Sequence, residues 1–359
     1  MGDKKIFYNL QICRGVAAFI VVLAHANLML NKELFSGFLI IGWNGVDFFF
    51  VLSGFIIYFV NMKYSGLRNT FKEYIVKRLT RIYPAYWFYA VAVLILDFLV
   101  SRLTGKHLIS WLDLNATSIL KSLFLYPTNV DSGVWPIIPA AWTLSYELFF
   151  YMVFGSVILF NKKTFLAIVC LWLLLIILNS INFISSGNNS FLNMVLNTKN
   201  IEFLFGCLIA ELTLTNKISM PKNNAVILLF FGVFLLFISW SNEALSHIWF
   251  KKMDFVNFGI PYFMIICALI ALETSKVESK IKKSLVYIGD ASYSIYLTHY
   301  IGIIIFSLIT SKLHFKGYFQ FFTVIVLLTV IGCLCYSFIE KPITKFFLKK
   351  VGAKQFGVS

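Results

Sequence analysis

The sequence predicts an all-α protein, a polytopic transmembrane helical bundle of about ten spans with both termini in the cytoplasm. Hydrophobic residues make up 59% of the 359 residues and charged residues 13%, whereas a soluble globular chain is nearer half apolar and a quarter charged. Many mostly apolar runs reach roughly 17 to 25 residues, which is long enough for a helix to cross a hydrocarbon core. Lys and Arg collect in alternate connections between these runs, which indicates the orientation.

The apolar runs define the predicted spans, whose ends are uncertain by several residues. We place them near 10–30, 43–62, 83–101, 142–160, 164–184, 200–216, 224–242, 256–273, 285–310 and 318–340. With the N-terminus inside, 21 of the 31 basic residues fall in inner segments and 9 in outer ones. Because cytoplasmic loops of membrane proteins are enriched in Lys and Arg, both termini are predicted to be cytoplasmic. In a bacterium this describes a multi-pass protein of the cytoplasmic (inner) membrane.

The first apolar run has an alternative reading as a signal peptide, because basic residues precede it and a small-x-small triplet follows at Ala24, His25 and Ala26. Its apolar stretch continues past that triplet, and Arg14 interrupts it early. Both features favour a membrane span. We therefore expect residues 1–345 to form one transmembrane domain and residues 346–359 a short basic cytoplasmic tail.

The net charge of +15 would suggest nucleic acid as a partner of a soluble protein. Here no sizeable soluble domain is predicted, and cytoplasmic basic loops account for the charge, so we expect membrane lipid and no nucleic acid. The six cysteines form no CxxC pair and lie beside no histidine at ligand spacing. We therefore expect neither a disulfide framework nor a metal site.

Two ionisable residues in the first span are candidate functional groups, because charge at membrane depth is costly unless it is paired or hydrated. Arg14 and His25 are eleven residues apart, which puts them on one helix face at a separation of roughly 16 Å. An arginine near the cytoplasm and an imidazole deeper on the same face suit a long donor with phosphates at one end and a reactive carbonyl at the other. Snorkelling of Arg14 and a hydrogen-bonded core role for His25 are the structural alternatives.

Two carboxylates begin inward-running spans at the predicted outer depth of His25. They are Asp47, in GVDFFFVLSGF, and Glu147, in WTLSYELFF. We expect them to converge with His25, where a carboxylate would fix the imidazole tautomer and favour a general base. Pairing with a neighbouring helix end explains either acid equally well. His299, deep in the ninth span, is a second and weaker candidate.

The segment KRLTRIYP supplies a pair of arginines near the inner face. Arg78 and Arg81 stand at positions i and i+3 and therefore point in similar directions. Their guanidinium groups are suited to binding phosphate.

The longest outer connection, 102–141, is typical of a lid, a re-entrant segment or an acceptor-binding loop, although an ordinary capping loop fits as well. Small residues in GDASYS predict close helix packing.

Six segments, taken together and in order, resemble the acyltransferase-3 family of membrane O-acyltransferases. The resemblance covers roughly residues 10–342, and the opening is similar to the exopolysaccharide acetyltransferase branch in particular. The segments are LQICRGVAAFIVVLAHA, GVDFFFVLSGF, KRLTRIYP, WTLSYELFFY, IGDASYSIYLTHY and IEKP.

This resemblance implies acetyl-CoA as donor and a glycan or an undecaprenyl-linked sugar as acceptor. It implies that Arg14 and His25 match the family's essential arginine and histidine, that Arg78 and Arg81 match its RxxR motif, and that Glu147 matches its acidic signature residue. The chain departs from the commoner opening at residues 11–13, which bears on the subfamily only. Because some members carry an added periplasmic domain, we expect this chain to be the membrane module alone.

Together these observations predict an enzyme, an O-acyltransferase that takes an acetyl group from cytoplasmic acetyl-CoA to a sugar hydroxyl. His25, Asp47 and Glu147 are the predicted catalytic residues, and the three arginines bind the donor. Direct attack with His25 as general base and a covalent acyl-histidine relay are both compatible with the sequence.

A transporter or flippase of a glycan-lipid or acyl donor is the main alternative, although we find no matching broken spans in two halves. The sequence identifies neither the acceptor hydroxyl nor the acyl chain.

Overall fold

The protein is all-helical in the part of the chain that the computed structural model describes, as the sequence predicts. Those residues are 7–30, 35, 39, 42–244, 254–273, 279–312 and 316–350. Short 3₁₀ turns and two π-helical turns, Phe255–Gly259 and Tyr336–Glu340, join or extend the α-helices. The α-helices of these residues are α1 (Tyr8–Leu30), α2 (Gly45–Asn61), α3 (Phe71–Thr104), α4 (Ala116–Leu123), α5 (Trp142–Leu159), α6 (Lys162–Ser180), α7 (Ser190–Val195), α8 (Asn200–Leu214), α9 (Lys222–Ala244), α10 (Ile260–Ala271), α11 (Lys280–Asp290), α12 (Ser292–Lys312), α13 (Gly317–Cys335) and α14 (Lys341–Lys350).

Eight helices of the described residues are long and apolar enough to cross a membrane. They correspond to eight of the ten predicted spans. The other two predicted spans are shorter helices in the structure. α8 has 15 residues, and the apolar helix Phe255–Ala271 is also shorter than the eight long helices. The count of ten spans and the cytoplasmic placement of both termini remain predictions. Residues 351–359 of the predicted tail, and Lys251 and Lys252 of the charge count, lie outside the described residues.

One predicted span is wrong in its extent. The sequence places it at 285–310, but the structure has two helices there, α11 and α12, separated at Ala291. The reason is that the basic end of α11 continues into apolar residues, so apolar content alone does not reveal the turn. The spanning helix begins at Ser292.

Glycine allows α2 and α8 to cross backbone to backbone. A Cβ atom on Gly54 would lie 1.9 Å from the carbonyl oxygen of Phe203, and one on Gly206 would lie 2.0 Å from that of Val51. Helices in lipid gain little from burying apolar surface and depend on such close packing. This crossing therefore fixes α2, which carries Asp47, against α8.

A second glycine contact seats α1 against the corner between α11 and α12. A Cβ atom on Gly289 would lie 1.9 Å from the carbonyl oxygen of Gln11, and one on Gly15 would lie 3.1 Å from the backbone nitrogen of Gly289. The close packing predicted for GDASYS is thus confirmed at Gly289. This contact fixes the position of α1 along its axis relative to α12. Arg14 and His25 are both on α1, so their positions are fixed with it.

The long connection after α3 folds back along that helix. Near its start, the amides of Leu108 and Ile109 donate to Asp97 Oδ1 at 2.6 and 2.9 Å. Near its middle, the Tyr83 hydroxyl donates to the Phe124 carbonyl at 3.1 Å. Asp97 and Tyr83 are fourteen residues apart on one helix, so the segment returns by about 21 Å. Of the predicted alternatives, the re-entrant course describes it best.

Substituting Gly54 by Ala should destabilise the bundle, because the added methyl group collides with backbone that cannot move independently. Overpacking of this kind costs about 1–3 kcal/mol. The measurement is the melting temperature of the detergent-purified protein, with Leu208→Ala on the exposed side of α8 as control. A Gly54→Ala variant that melts with the wild type would show that the helices do not cross this closely.

Candidate active site

A cavity lies between α1, α2, α3, α5 and α12. About 80 Å³ of it is open to the centre of a water molecule. Most of the wall is apolar, so the few polar groups that face it are conspicuous candidates for ligand recognition. The polar and charged residues lining it include Arg14, Ser53, Arg81, Thr143, Glu147 and Tyr296.

Arg14 is held in this cavity by a relay of side chains. Its Nη1 donates to Gln11 Oε1 at 3.1 Å, and the Gln11 amide nitrogen donates to Asp290 Oδ1. Only 6% of the residue is exposed, so the snorkelling alternative does not describe it. Asp290 was not singled out from the sequence, because its proximity depends on the close approach of α1 to α11.

The arginines of the RxxR segment have two different environments. Arg81 lines the cavity and donates no hydrogen bond within the described part of the chain. The Arg78 guanidinium lies 5.7 Å from the Tyr74 ring centre and 5.6 Å from that of Tyr151, and its Nε is buried without a hydrogen-bond partner among the described residues. Buried donors without partners are costly, and an anion beside them would satisfy them.

Glu147 lies with the arginines. It accepts hydrogen bonds from Ser53 Oγ, at 3.3 Å, and from the Tyr151 hydroxyl. Arg81 and Arg14 both interact with it electrostatically. The Glu147 carboxylate is therefore placed to balance the positive charge of the cavity arginines.

Glu340 is a further member of this group, and sequence reasoning did not single it out as a site residue. It accepts a hydrogen bond from Ser294 Oγ at 2.5 Å and interacts electrostatically with Arg14 and Arg81. The chain continues α13 as a π-helical turn that ends at Glu340. Such turns often mark functional positions, and they leave no clear sequence signal.

Asp47 belongs to a separate ionic cluster. It is fully buried, and its Oδ1 lies 2.6 Å from Lys199 Nζ, which also lies 2.8 Å from Asp254 Oδ2. Glu202, also fully buried, interacts electrostatically with both Asp47 and Lys199. The cluster ties together the starts of α2 and α8 and the turn before α10.

The expected convergence of His25 with Asp47 and Glu147 is not the arrangement that the described residues adopt. Each carboxylate has the partners given above, and the side chain that meets His25 is His299. The prediction rested on depth alone. Span boundaries give the depth of a residue in the membrane, but they do not give the direction in which its side chain faces around the helix axis. The catalytic roles of Asp47 and Glu147 remain predictions.

His25 has a defined tautomer. Its Nδ1 lies 2.9 Å from the Val21 carbonyl oxygen, and a carbonyl can only accept a hydrogen bond. The neutral ring therefore carries its proton on Nδ1 and a lone pair on Nε2. That is the protonation state of a general base.

The His25 ring lies in an aromatic environment between the bundle and the re-entrant connection. It contacts the His299 ring, with centres 4.9 Å apart, and the Tyr300 ring, at 5.6 Å. Tyr300 in turn contacts Trp111 of the connection at 5.4 Å. Tyr300 thus connects the histidine pair to the segment for which acceptor binding is one of the predicted roles.

Tyr296 links this pair to the cavity. It lines the cavity, and its carbonyl oxygen lies 2.7 Å from His299 Nδ1. With Arg14 and His25 about 16 Å apart along α1, the structure combines an arginine-lined cavity with an imidazole pair beyond it.

Comparison with known proteins identifies a family. The family model described as "Acyltransferase domain" matches residues 7–338. The chain is 28% identical to the exopolysaccharide production protein ExoZ of Rhizobium meliloti, over 85% of this chain and 90% of that protein. It is 26% identical to the peptidoglycan O-acetyltransferase OatA of Listeria monocytogenes, over 96% of this chain and 56% of that protein.

A third relative, the O-acetyltransferase OatA of Staphylococcus aureus, is 27% identical over 96% of this chain and 58% of its own length. The chain thus spans nearly all of ExoZ and little more than half of the two OatA proteins. No solved structure matches.

Replacing Lys199 by Met should destabilise the protein strongly, because it leaves the buried Asp47 without its cation. Removing one partner of a buried ion pair costs about 3–5 kcal/mol. Thermal unfolding of the purified protein measures the loss, with the exposed Lys163→Met as control. Adding Asp47→Asn to Lys199→Met should recover part of it. Equal melting of Lys199→Met and the control would contradict the ion pair.

Proposed function

The chain belongs to the acyltransferase-3 family, whose model covers residues 7–338. From that premise we propose that it is a membrane O-acyltransferase that moves an acetyl group from cytoplasmic acetyl-CoA to a hydroxyl of a surface polysaccharide or an undecaprenyl-linked sugar. The names of the relatives, an exopolysaccharide production protein and peptidoglycan O-acetyltransferases, support the substrate class. One observation carries the mechanism: α1 presents Arg14 to a cavity and, three turns further on, an imidazole with an available Nε2 lone pair.

Arg14, Arg78 and Arg81 bind the phosphates of the donor. Support comes from Arg78 Nε, which is buried without a hydrogen-bond partner among the described residues, and from Arg81, which lines the cavity beside Arg14. Phosphate oxygens accept charge-assisted hydrogen bonds from such groups, and the planar guanidinium is well matched to them. Glu147 and Glu340 keep the arginines in place by opposing their charge.

The acyl thioester lies toward His25, since the donor is long and its phosphates are held at the arginine end. His25 Nε2 removes the proton from the acceptor hydroxyl as the hydroxyl oxygen attacks the acetyl carbonyl carbon. The new C–O bond forms, the C–S bond breaks, and the thiolate of CoA takes the proton from His25. The products are the acetyl ester and CoA with a free thiol, so protons and electrons balance.

The acceptor enters from the side of the re-entrant connection. Tyr300 contacts His25 there, and Trp111 contacts Tyr300. Such side chains combine an apolar face with a polar tip. An acceptor bound against them places its hydroxyl beside the imidazole pair.

The acetyl content of the host's surface polysaccharide tests this function. Proton NMR compares cells that lack the protein with cells restored by wild type or by His25→Ala at equal membrane abundance. We expect wild type to restore the acetyl esters and His25→Ala to leave them absent. Restored export or a different acyl group, with unchanged acetylation, would favour the transporter or another donor.

Replacing Arg81 by Gln should raise the KM for acetyl-CoA roughly ten- to a hundred-fold, the effect of losing a charge-assisted hydrogen bond of about 1.5–3 kcal/mol. The KM for S-acetyl-pantetheine, which has no phosphate, should stay the same. Steady-state release of thiol measures both, and Arg102→Gln on the outer part of α3 is the matched control. An equal loss with both donors would show that Arg81 does not act on the phosphates.

A further inference from the structure

His299 and His25 form a direct contact between imidazole rings. His299 Nε2 lies 3.4 Å from His25 Nδ1, and the ring planes meet at 61°. His299 is fully buried. The predicted base, His25, thus has a second titratable ring beside it, which the assignment of spans from the sequence did not reveal.

The tautomer of His299 follows from its other contact. Its Nδ1 lies 2.7 Å from the Tyr296 carbonyl oxygen, so in the neutral ring Nδ1 carries the proton and Nε2 is an acceptor. The Nδ1–H of His25 is then shared between the Val21 carbonyl and His299 Nε2. The second contact is longer than an ordinary hydrogen bond in this resting arrangement.

Proton uptake changes the strength of that contact. When His25 Nε2 accepts the hydroxyl proton, the ring becomes an imidazolium and its Nδ1–H becomes a charge-assisted donor. His299 Nε2 is placed to accept from it. Two imidazolium rings this close would repel each other, so His299 acts as a neutral acceptor throughout.

We propose that His299 is a positioning residue for the transfer reaction, which holds His25 in its reactive tautomer and stabilises the imidazolium that forms on it. This rests on the function proposed above. The role is one that a carboxylate fills in many hydrolases. A neutral imidazole fills it here without placing a permanent charge in an apolar bundle, which avoids the desolvation cost of an ion.

Tyr296 orients His299 from the cavity side. The Tyr296 hydroxyl donates to the Ala140 carbonyl at 2.9 Å and lies 3.1 Å from Thr143 Oγ1. These contacts hold the Tyr296 side chain, while α12 fixes the direction of its backbone carbonyl, toward which the Nδ1–H of His299 points. The positioning chain runs from α5 through Tyr296 and His299 to His25.

Steady-state kinetics of His25→Ala and of four further variants test the proposal, with acetyl-CoA as donor and the de-O-acetylated host polysaccharide as acceptor in proteoliposomes. His299→Leu should lower kcat roughly a hundred-fold, a typical size for a general-base contribution, and leave the KM for acetyl-CoA unchanged. His299→Gln should recover most of the rate, because its amide oxygen can accept a hydrogen bond from the Nδ1–H of His25. His299→Asn, which is too short, should not. Thr298→Val, one residue away on α12, should match the wild type.

Melting temperatures of all variants separate folding from catalysis. Should His299→Leu fail to fold, the comparison of Gln with Asn decides by itself. Equal rates for Gln and Asn, or a loss confined to KM, would overturn the positioning role. If the wild type transfers no acetyl group, the proposed function fails, and if His25→Ala keeps the wild-type rate, the proposed role of His25 as base fails. Loss in His25→Ala with a wild-type rate in His299→Leu overturns only the role of His299.

Discussion

The cost of placing charge in an apolar bundle governs the whole arrangement. The ionisable groups discussed above lie in three sets within the described residues, and each set meets that cost differently. Arg14 and Arg81 face carboxylates across a cavity. Asp47 is neutralised by Lys199, which ties helix ends together. His25 and His299 meet the cost by being neutral rings that hydrogen-bond to backbone carbonyls. The ion pair therefore stabilises the bundle, and the other two sets retain groups that are available for a substrate.

Close helix contacts turn these groups into a site. The glycine contact between α1 and α11 brings Gln11 to Asp290 and so orients Arg14. The same contact sets α1 against α12, where His299 meets His25. One rigid helix thus holds Arg14, the proposed donor-binding residue, and His25, the proposed base, at a fixed separation of about 16 Å. Fixed separation matters because a group transfer depends on accurate placement of the reacting atoms.

Much of the fold was predictable, because apolar runs and charge at membrane depth are local properties. The helices and the importance of Arg14 as a buried charge follow from such signals, whereas the sequence left the course of the connection after α3 open between several alternatives. Contacts between side chains on different helices were harder to predict. Asp47 and His25 have similar predicted depth but different partners, since depth does not determine which way a side chain faces. Glu340 was not singled out, because a π-helical turn changes where the residue faces. The contact between His25 and His299 joins residues 274 positions apart and leaves no pattern in one sequence.

In the proposed reaction the acetyl group passes through the protein from the arginine end to the histidine end. Membrane vesicles of known orientation test this directly. Inverted and right-side-out vesicles from host cells would receive radiolabelled acetyl-CoA from outside only, and label would be counted on the polysaccharide of each compartment. We expect label on lumenal polysaccharide of inverted vesicles, lost in His25→Ala, and none in right-side-out vesicles. Label on an acceptor in the donor's own compartment would contradict it.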